Sequence, residues 1–353
     1  MELQHLNRTA WAALSSVEKE QYLQELTELP EGVAYEGLRK FERYGRCTET
    51  GVFSYEQRDF VFVPGDLVTL GWDGWHEGMN EETAIDIRET FSEYGVHDID
   101  AYLREFSSPV REVHISPMLV ECQARSLGWF EVSEEEAMAW DDGEFAKEWE
   151  KFKQSDISEY ERYQHFRLVR HEGGIRIFWF NEDLTLERLK EETEKTGFSL
   201  LTEEEWEYLY GGGCRTLFPW GDSFDYTMKL KHFGSLQGVP GIVDENAEPD
   251  PSMVEDDGRA YDLELPNFFG IRFEGDPYRC ELTLSQTGEL MPKGGDGGSL
   301  ICGGLGPVAG FLPATVVYYR DANIGELEWE ELIDGMYYRR VIQISSSCAP
   351  SQK

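Results

Sequence analysis

The sequence is poor in basic residues, with 32 Lys and Arg against 69 Asp and Glu and a formal net charge of −37. This imbalance opposes binding to nucleic acid or to an anionic membrane. It predicts a solvated acidic surface that keeps the protein soluble. A second interpretation of the same charge is an acidic inhibitor or partner of a basic protein.

The six cysteines include no Cys-x-x-Cys pair, and the seven histidines include no His-x-x-x-His pair. Zinc-finger, P-loop, dinucleotide-binding and serine-hydrolase patterns are also missing. The N-terminus is polar, and residues 11–14 form too short an apolar run for a signal peptide. We therefore expect reduced thiols and a cytoplasmic protein.

The longest uncharged segment, residues 297–319, would be long enough to cross a bilayer. Several Gly and Pro residues interrupt it, which disfavours a continuous helix. We expect a buried glycine-rich loop here, ending in a strand over 315–319, and no membrane as a partner.

Aromatic residues make up 13% of the chain and Gly is frequent, which predicts one irregular α+β domain with a large core and many turns. Capping boxes at Ser15–Glu18 and Thr202–Glu205 each predict a helix start. Further helices are predicted over 133–152 and 185–196. Phe145, Trp149 and Phe152 share a helix face and are expected in the core. Strands are predicted over 60–65, 67–71, 113–120, 174–180 and 337–344.

Five phrases occur in a fixed order along the chain, and they span most of it. They are Val63-Pro64-Gly65, the run 197–208 with Thr202, Glu205 and Trp206, the run Phe218-Pro219-Trp220-Gly221-Asp222, the run 266–271, and Gly297-Gly298-Ser299 followed by Cys302. Together they resemble the formylglycine-generating enzyme and sulfatase-modifying-factor family. Ser199 and Leu201 replace the Arg and Pro usual in the second phrase. The resemblance implies an irregular, elaborated C-type-lectin-like fold with few regular strands and peripheral helices.

The resemblance places a family-like domain at 60–344. It leaves a helical N-terminal extension packed on the core at 1–59, and a tail at 345–353. Within the domain, one set of motif residues is interpreted as structural, because they cap a helix or supply large packed surfaces. These residues are Thr202, Glu205, Trp206, Pro219 and Trp220.

Active members of this family oxidise a substrate cysteine with molecular oxygen, using two active-site cysteines that hold copper. Cys302 falls on the first cysteine position, but the second position is Pro307. The later phrase at 275–283 keeps Glu281 and Thr283 and loses both of the family's tryptophans. The resemblance thus implies the fold, while these departures argue against formylglycine generation.

The sequence leaves two metals, copper and calcium, as candidates. Soft thiolates suit Cu(I), so copper is possible if Cys302 is a ligand and Cys280 supplies the missing thiol. The resemblance also makes structural calcium possible in an acidic segment. Its oxygen donors are Asp244, Glu245, Asn246, Asp250, Glu255, Asp256 and Asp257.

The leading hypothesis is a divergent, non-catalytic family member that uses the family pocket to bind a small molecule or a protein. The alternative is a copper- or iron-dependent oxidoreductase acting on a thiol, with Cys302 as a catalytic residue only in that case. The candidate binding residues surround the family's catalytic positions; they are Glu281, Asp296, Ser299, Tyr318 and Arg320.

Overall fold

The computed structural model describes residues 6–26, 29–140, 143–171, 173–232, 234–235, 258–296, 306–321 and 328–344. Over these residues the protein is mixed α+β, with several small sheets that are antiparallel except for one parallel strand pair. The α+β class predicted from the sequence is therefore confirmed.

The helices of the described residues are short and lie mainly between the strands. They are α1 Arg8–Ala13, α2 Ser16–Gln24, α3 Glu81–Glu93, α4 Ile99–Glu105, α5 Glu134–Trp140, α6 Phe145–Gln154, α7 Leu186–Lys195, α8 Glu203–Gly211, α9 Gly306–Thr315 and α10 Trp329–Gly335.

Most strands are also short. They are β1 Ala34–Arg43, β2 Arg46–Tyr55, β3 Arg58–Val63, β4 Asp66–Leu70, β5 Arg111–Ile115, β6 Met118–Glu121, β7 Arg125–Ser126, β8 Trp129–Val132, β9 Glu159–Arg162, β10 Phe166–His171, β11 Gly174–Phe180, β12 Ser199–Leu200, β13 Lys229–Leu230, β14 Gly234–Ser235, β15 Cys280–Glu281, β16 Lys293–Gly294, β17 Met336–Tyr338 and β18 Arg340–Gln343.

The largest sheet has the strand order β1-β2-β3-β6-β18-β12, and its central strands are buried on both faces. Alternate side chains of β3 point to opposite sides. Phe60 and Phe62 enter a core cluster with the N-terminal helices, whereas Val61 and Val63 enter the main core cluster with α8 and α9. This sheet therefore separates two apolar layers.

The N-terminal segment is helical only in part. Helices α1 and α2 pack through Trp11 and Leu23 against the sheet, but β1 and β2 form a long hairpin that pairs with β3. The sheet thus runs across the boundary predicted at residue 59. The prediction of a helical N-terminal extension does not include this hairpin.

A second sheet, in the order β8-β11-β10-β9, is covered on one face by α5 and α6. The sequence predicts one helix here, but Gly143, with a φ of +104°, lies between two. A residue in that conformation cannot continue an α-helix. Phe145, Trp149 and Phe152 are buried as predicted, whereas Trp140 at the end of α5 is 49% exposed.

Three further predictions about secondary structure are wrong. Residues 337–344 contribute to β17 and β18, which belong to different sheets, instead of forming one strand. Residues 113–120 form two strands instead of one, because Ser116-Pro117 separates β5 from β6 and proline cannot donate to a ladder. The segment predicted as a loop contains α9, and residues 315–319 are no strand. Pro307 falls in the first turn of α9, where an amide hydrogen has no helical partner anyway.

Helix α9 is apolar because it is buried in the main core, through residues such as Val308, Phe311 and Leu312. It is ten residues long. No helix in the described ranges is long and apolar enough to span a bilayer.

A third sheet, in the order β16-β15-β17-β7, positions the candidate site. Strand β15 pairs with β16 so that Cys280 lies opposite Gly294 and Glu281 lies opposite Lys293. On its other side β15 runs parallel to β17. The sheet therefore brings four distant chain segments together around Glu281.

Candidate functional site

The Thr202–Glu205 phrase begins α8, as the sequence predicts. Thr202 Oγ1 accepts a hydrogen bond from the Glu205 amide at 3.3 Å, and Glu205 Oε2 accepts one from the Thr202 amide at 2.8 Å. One residue further on, Trp206 is buried, with its ring centroid 4.9 Å from Tyr210 and 5.2 Å from Phe273. These contacts are the ones expected of a structural role for this phrase.

The phrase around Trp220 is a packed turn. The Trp220 ring stacks on Phe218 across Pro219, with centroids 5.2 Å apart and planes 5° apart. Asp222 is buried and accepts hydrogen bonds from the amides of Leu217 at 2.8 Å and Glu77 at 2.7 Å. Its carboxylate therefore holds two loops together.

Helix α8 also contributes two buried carboxylates that the sequence analysis missed. Lys293 Nζ lies 2.7 Å from Glu207 Oε1 and 2.9 Å from Glu203 Oε1, and it also donates to the Tyr319 carbonyl at 2.9 Å. Arg111 joins them from β5, with Nη2 3.1 Å from Glu207 Oε2. The (i, i+4) spacing of the two glutamates is visible in the sequence, but the identity of their partners is not.

Arg320 is held at the edge of this cluster. Its Nε lies 2.6 Å from Glu203 Oε1 and its side chain is 34% exposed. Burial acts to raise the pKa of Glu203, but the hydrogen bond from Arg320 and the charge of Lys293 outweigh it and lower that pKa to about 2. Glu203 thus stays ionised and fixes the orientation of the Arg320 guanidinium.

Glu281 is not free for a ligand. Its carboxylate is paired with Arg339 at 2.8 Å, and both side chains are almost completely buried. Arg339 donates further to the carbonyls of Glu121 at 2.6 Å and Arg272 at 2.9 Å. The pair links β15 to the main sheet, which is a structural position.

The Tyr318 side chain lies in the main core. Its hydroxyl donates to the carbonyl of Cys214 in the main core, and burial raises its pKa. Asp296 lies close enough to Cys280 for its charge to raise the pKa of that thiol. Of the predicted binding residues that the structure describes, Arg320 is therefore the one whose partly exposed side chain can face a ligand.

Cys280 has an environment that disfavours a thiolate. Burial, together with the negative charges of Glu281, Asp321 and Asp296, raises its pKa to about 12. A thiol must lose its proton to become a strong copper ligand or a nucleophile. Cys280 therefore fits poorly as the second copper ligand, and a proline at position 307 supplies no ligand atom.

The remaining predicted ligands lie outside the described residues. These are Ser299, Cys302 and the acidic segment proposed for calcium. Within the described ranges, no group of three or more His, Cys, Asp and Glu side chains is arranged to hold a metal ion.

A small cavity lies beside Trp206, between α8 and β15–β16. Glu274, Arg279 and Lys293 are among the residues that line it, and its volume for water centres is about 10 Å³, roughly one water molecule. The Trp206 indole Nε1 is buried and makes no hydrogen bond. Burial, assisted by the charge of Glu281, raises the pKa of Glu274 to about 7.

The candidate site is thus a partly exposed Arg320 whose guanidinium is held by Glu203. No protein-family model matches this chain, and no curated protein is significantly similar to it.

Proposed function

We propose that this chain is a divergent member of the formylglycine-generating enzyme and sulfatase-modifying-factor family, with its C-type-lectin-like fold. In this proposal it binds a ligand or a protein segment beside Arg320 and does not oxidise cysteine. Support for the family comes from the ordered phrases, whose described residues occupy caps, packed turns and core positions. Trp206 and Trp220 are two such residues.

The orientation of Arg320 is the observation on which the binding function rests. A guanidinium on a flexible side chain loses rotamer entropy when it binds. Here Glu203 holds it in place, and Lys293 holds Glu203 from the interior. A group fixed in this way is suited to receive a carboxylate or another hydrogen-bond acceptor.

Two observations favour binding over thiol oxidation. Position 307, where the family has its second cysteine, is a proline, and burial raises the pKa of the Cys280 thiol to about 12. Copper chemistry of the family type requires two thiolates. The described residues do not fit such a copper centre.

Copper analysis tests the non-oxidative part of this proposal. Protein purified under reducing conditions is loaded with Cu(I), and bound copper is measured for the wild type, Cys302→Ser and the control Cys47→Ser. Cys47 is an exposed cysteine on β2. We expect no stoichiometric copper in any of the three. Tight copper that is lost only in Cys302→Ser would instead support the oxidoreductase alternative.

A thermal-shift screen tests the role of Arg320. Small carboxylates and their amide analogues are compared on the wild type, on Arg320→Ala and on Arg104→Ala, which removes an exposed arginine of α4. We expect carboxylates that stabilise the wild type and Arg104→Ala to lose their effect on Arg320→Ala. Equal stabilisation of all three proteins would rule out Arg320 as the recognition group.

A further inference from the structure

The second sheet exposes a pair of aromatic rings, which we call the Phe130–Trp140 face. Phe130 is 40% exposed and Trp140 is 49% exposed. Their ring centroids lie 6.1 Å apart, and Trp140 also packs edge-on against Trp179 at 5.8 Å. Trp179 is the cross-strand partner of Phe130, so strand pairing fixes the residue against which Trp140 packs.

Exposed aromatic rings that are held rigidly are typical of interaction hot spots. Ring contacts and strand pairing already restrict these side chains, so a partner would lose little entropy in ordering them. The Arg320 site uses none of these residues. A partner bound to this face would therefore make a second contact, beyond the proposed function.

Cations cover neighbouring rings of the same sheet and its helices. Arg or Lys lies over each of four rings, at 4.5 Å for Arg167 on Trp129, 4.9 Å for Arg176 on Phe178, 5.0 Å for Arg170 on Phe152 and 5.2 Å for Lys153 on Trp149. Across the described residues, no cation lies over Phe130 or Trp140. Two exposed rings thus remain open to a cation from another molecule.

The charges beside this face are negative. Glu136 precedes Trp140 by four residues on α5, so the two side chains lie on the same side of the helix, one turn apart. Glu135 and Glu136 are both exposed, and neither has a cationic partner in the described ranges. Glu136 Oε2 accepts hydrogen bonds from the amide and the hydroxyl of Ser133, at 2.9 and 2.8 Å. An exposed indole beside a carboxylate that lacks a cationic partner is complementary to a guanidinium or an ammonium group.

From this arrangement we infer that the Phe130–Trp140 face docks a basic protein segment, with an Arg or Lys side chain stacked on Trp140 and paired with Glu136. The net charge of −37 attracts such a segment over a distance and repels nucleic acid. The contact with the aromatic face then acts at short range. Salt therefore weakens this contact less than it weakens the long-range attraction.

The test uses the full chain and a peptide of Arg-Gly-Ser repeats, at physiological salt. The indole N–H resonance of Trp140, identified by its absence in Trp140→Phe, is followed during the titration. We expect this resonance to shift on binding. Trp140→Ala should weaken the affinity about two- to fivefold, whereas the control Tyr163→Ala should match the wild type. Tyr163 lies in the turn between β9 and β10 of the same sheet and is 69% exposed.

Three results would overturn the inference. The first is a Trp140 resonance that does not move at peptide saturation. The second is equal binding of a peptide with norleucine in place of arginine, because the face would then select an apolar partner. The third is self-association of the wild type that Trp140→Ala abolishes, because the occupant would then be a second copy of this chain.

Discussion

Lys293 and Glu207 form an ion pair inside the protein, with 2.7 Å between Nζ and Oε1 and side-chain exposures of 1% and 0%. All three ammonium hydrogens of Lys293 have acceptors, because Glu203 and the Tyr319 carbonyl take the other two. The pair joins β16 to α8 and to the chain that follows α9. It thereby fixes the segment from which Arg320 projects.

Replacing Lys293 by Met should strongly destabilise the protein. The substitution keeps most of the volume but leaves the carboxylates of Glu203 and Glu207 with less compensation in the interior. Breaking a buried pair from one side costs about 3–5 kcal/mol in the free energy of unfolding. Urea denaturation measures this change. Lys195→Met removes a cation that is 71% exposed and should stay within about 0.5 kcal/mol of the wild type. Similar values for the two variants would contradict the prediction.

Glu274 should make the protein less stable as the pH rises. Burial raises its folded pKa to about 7, against an ordinary value of 4.5. Between these two values the folded state holds a proton that the unfolded chain has released, so the free energy of unfolding falls with increasing pH across this window. Below the window the carboxyl is protonated in both states and has no effect.

Glu274→Gln should remove this decline. Relative to the wild type, we expect the free energy of unfolding of the variant to be higher by about 1–3 kcal/mol at about pH 8. At about pH 4 the two proteins should have nearly equal stability. Urea denaturation at several pH values gives both differences. The exposed Glu112→Gln serves as the control, with the same charge change and no pH-dependent gain. A gain for Glu274→Gln that is equal at both pH values would show that Glu274 has an ordinary pKa.

Thr202→Ala should destabilise α8 at its first turn. The substitution leaves the Glu205 amide without its acceptor, which typically costs about 1 kcal/mol. Thr202→Ser restores the hydroxyl and should recover most of the loss, as measured by thermal unfolding. If serine behaves like alanine, the cost comes from lost packing of the threonine methyl group and not from the cap.

The elements that local patterns define could be predicted from the sequence. Ser15 and Thr202 cap their helices as expected, and the strand over Gly174–Phe180 has the predicted bounds. Capping and alternation act within a few residues, so a single sequence contains the whole signal. The interruption at Gly143 depends on its φ of +104°, a conformation that the sequence permits but does not specify.

The candidate site could be predicted only in part. The sequence predicts Arg320 and Glu281 as site residues. It does not show that Glu281 forms an ion pair with Arg339, or that Glu203 holds Arg320. Lys293 and Glu207 are 86 positions apart in the chain. Such pairs form only when strands and helices pack, and no local pattern encodes them.

Two glycines of the main domain and its hairpin are required for different physical reasons. A Cβ at Gly65, in the Val63-Pro64-Gly65 phrase, would lie 2.3 Å from the Ile115 carbonyl oxygen. Gly45 has open space around its Cα, but its φ is +68° in the two-residue turn between β1 and β2. The first position excludes any side chain, whereas the second excludes most side chains through backbone conformation.

Substitution by Ala and by Asn distinguishes the two causes. At Gly45, Ala should lower the free energy of unfolding by about 1 kcal/mol. Asn should lower it less, because Asn tolerates the left-handed conformation. At Gly65, Ala should cost about 1–3 kcal/mol and Asn at least as much, because the larger side chain increases the overlap with β5. Urea denaturation of the four variants gives the comparison. Recovery by Asn at Gly65 would mean that the backbone conformation, and not the close approach of β5, requires glycine in this phrase.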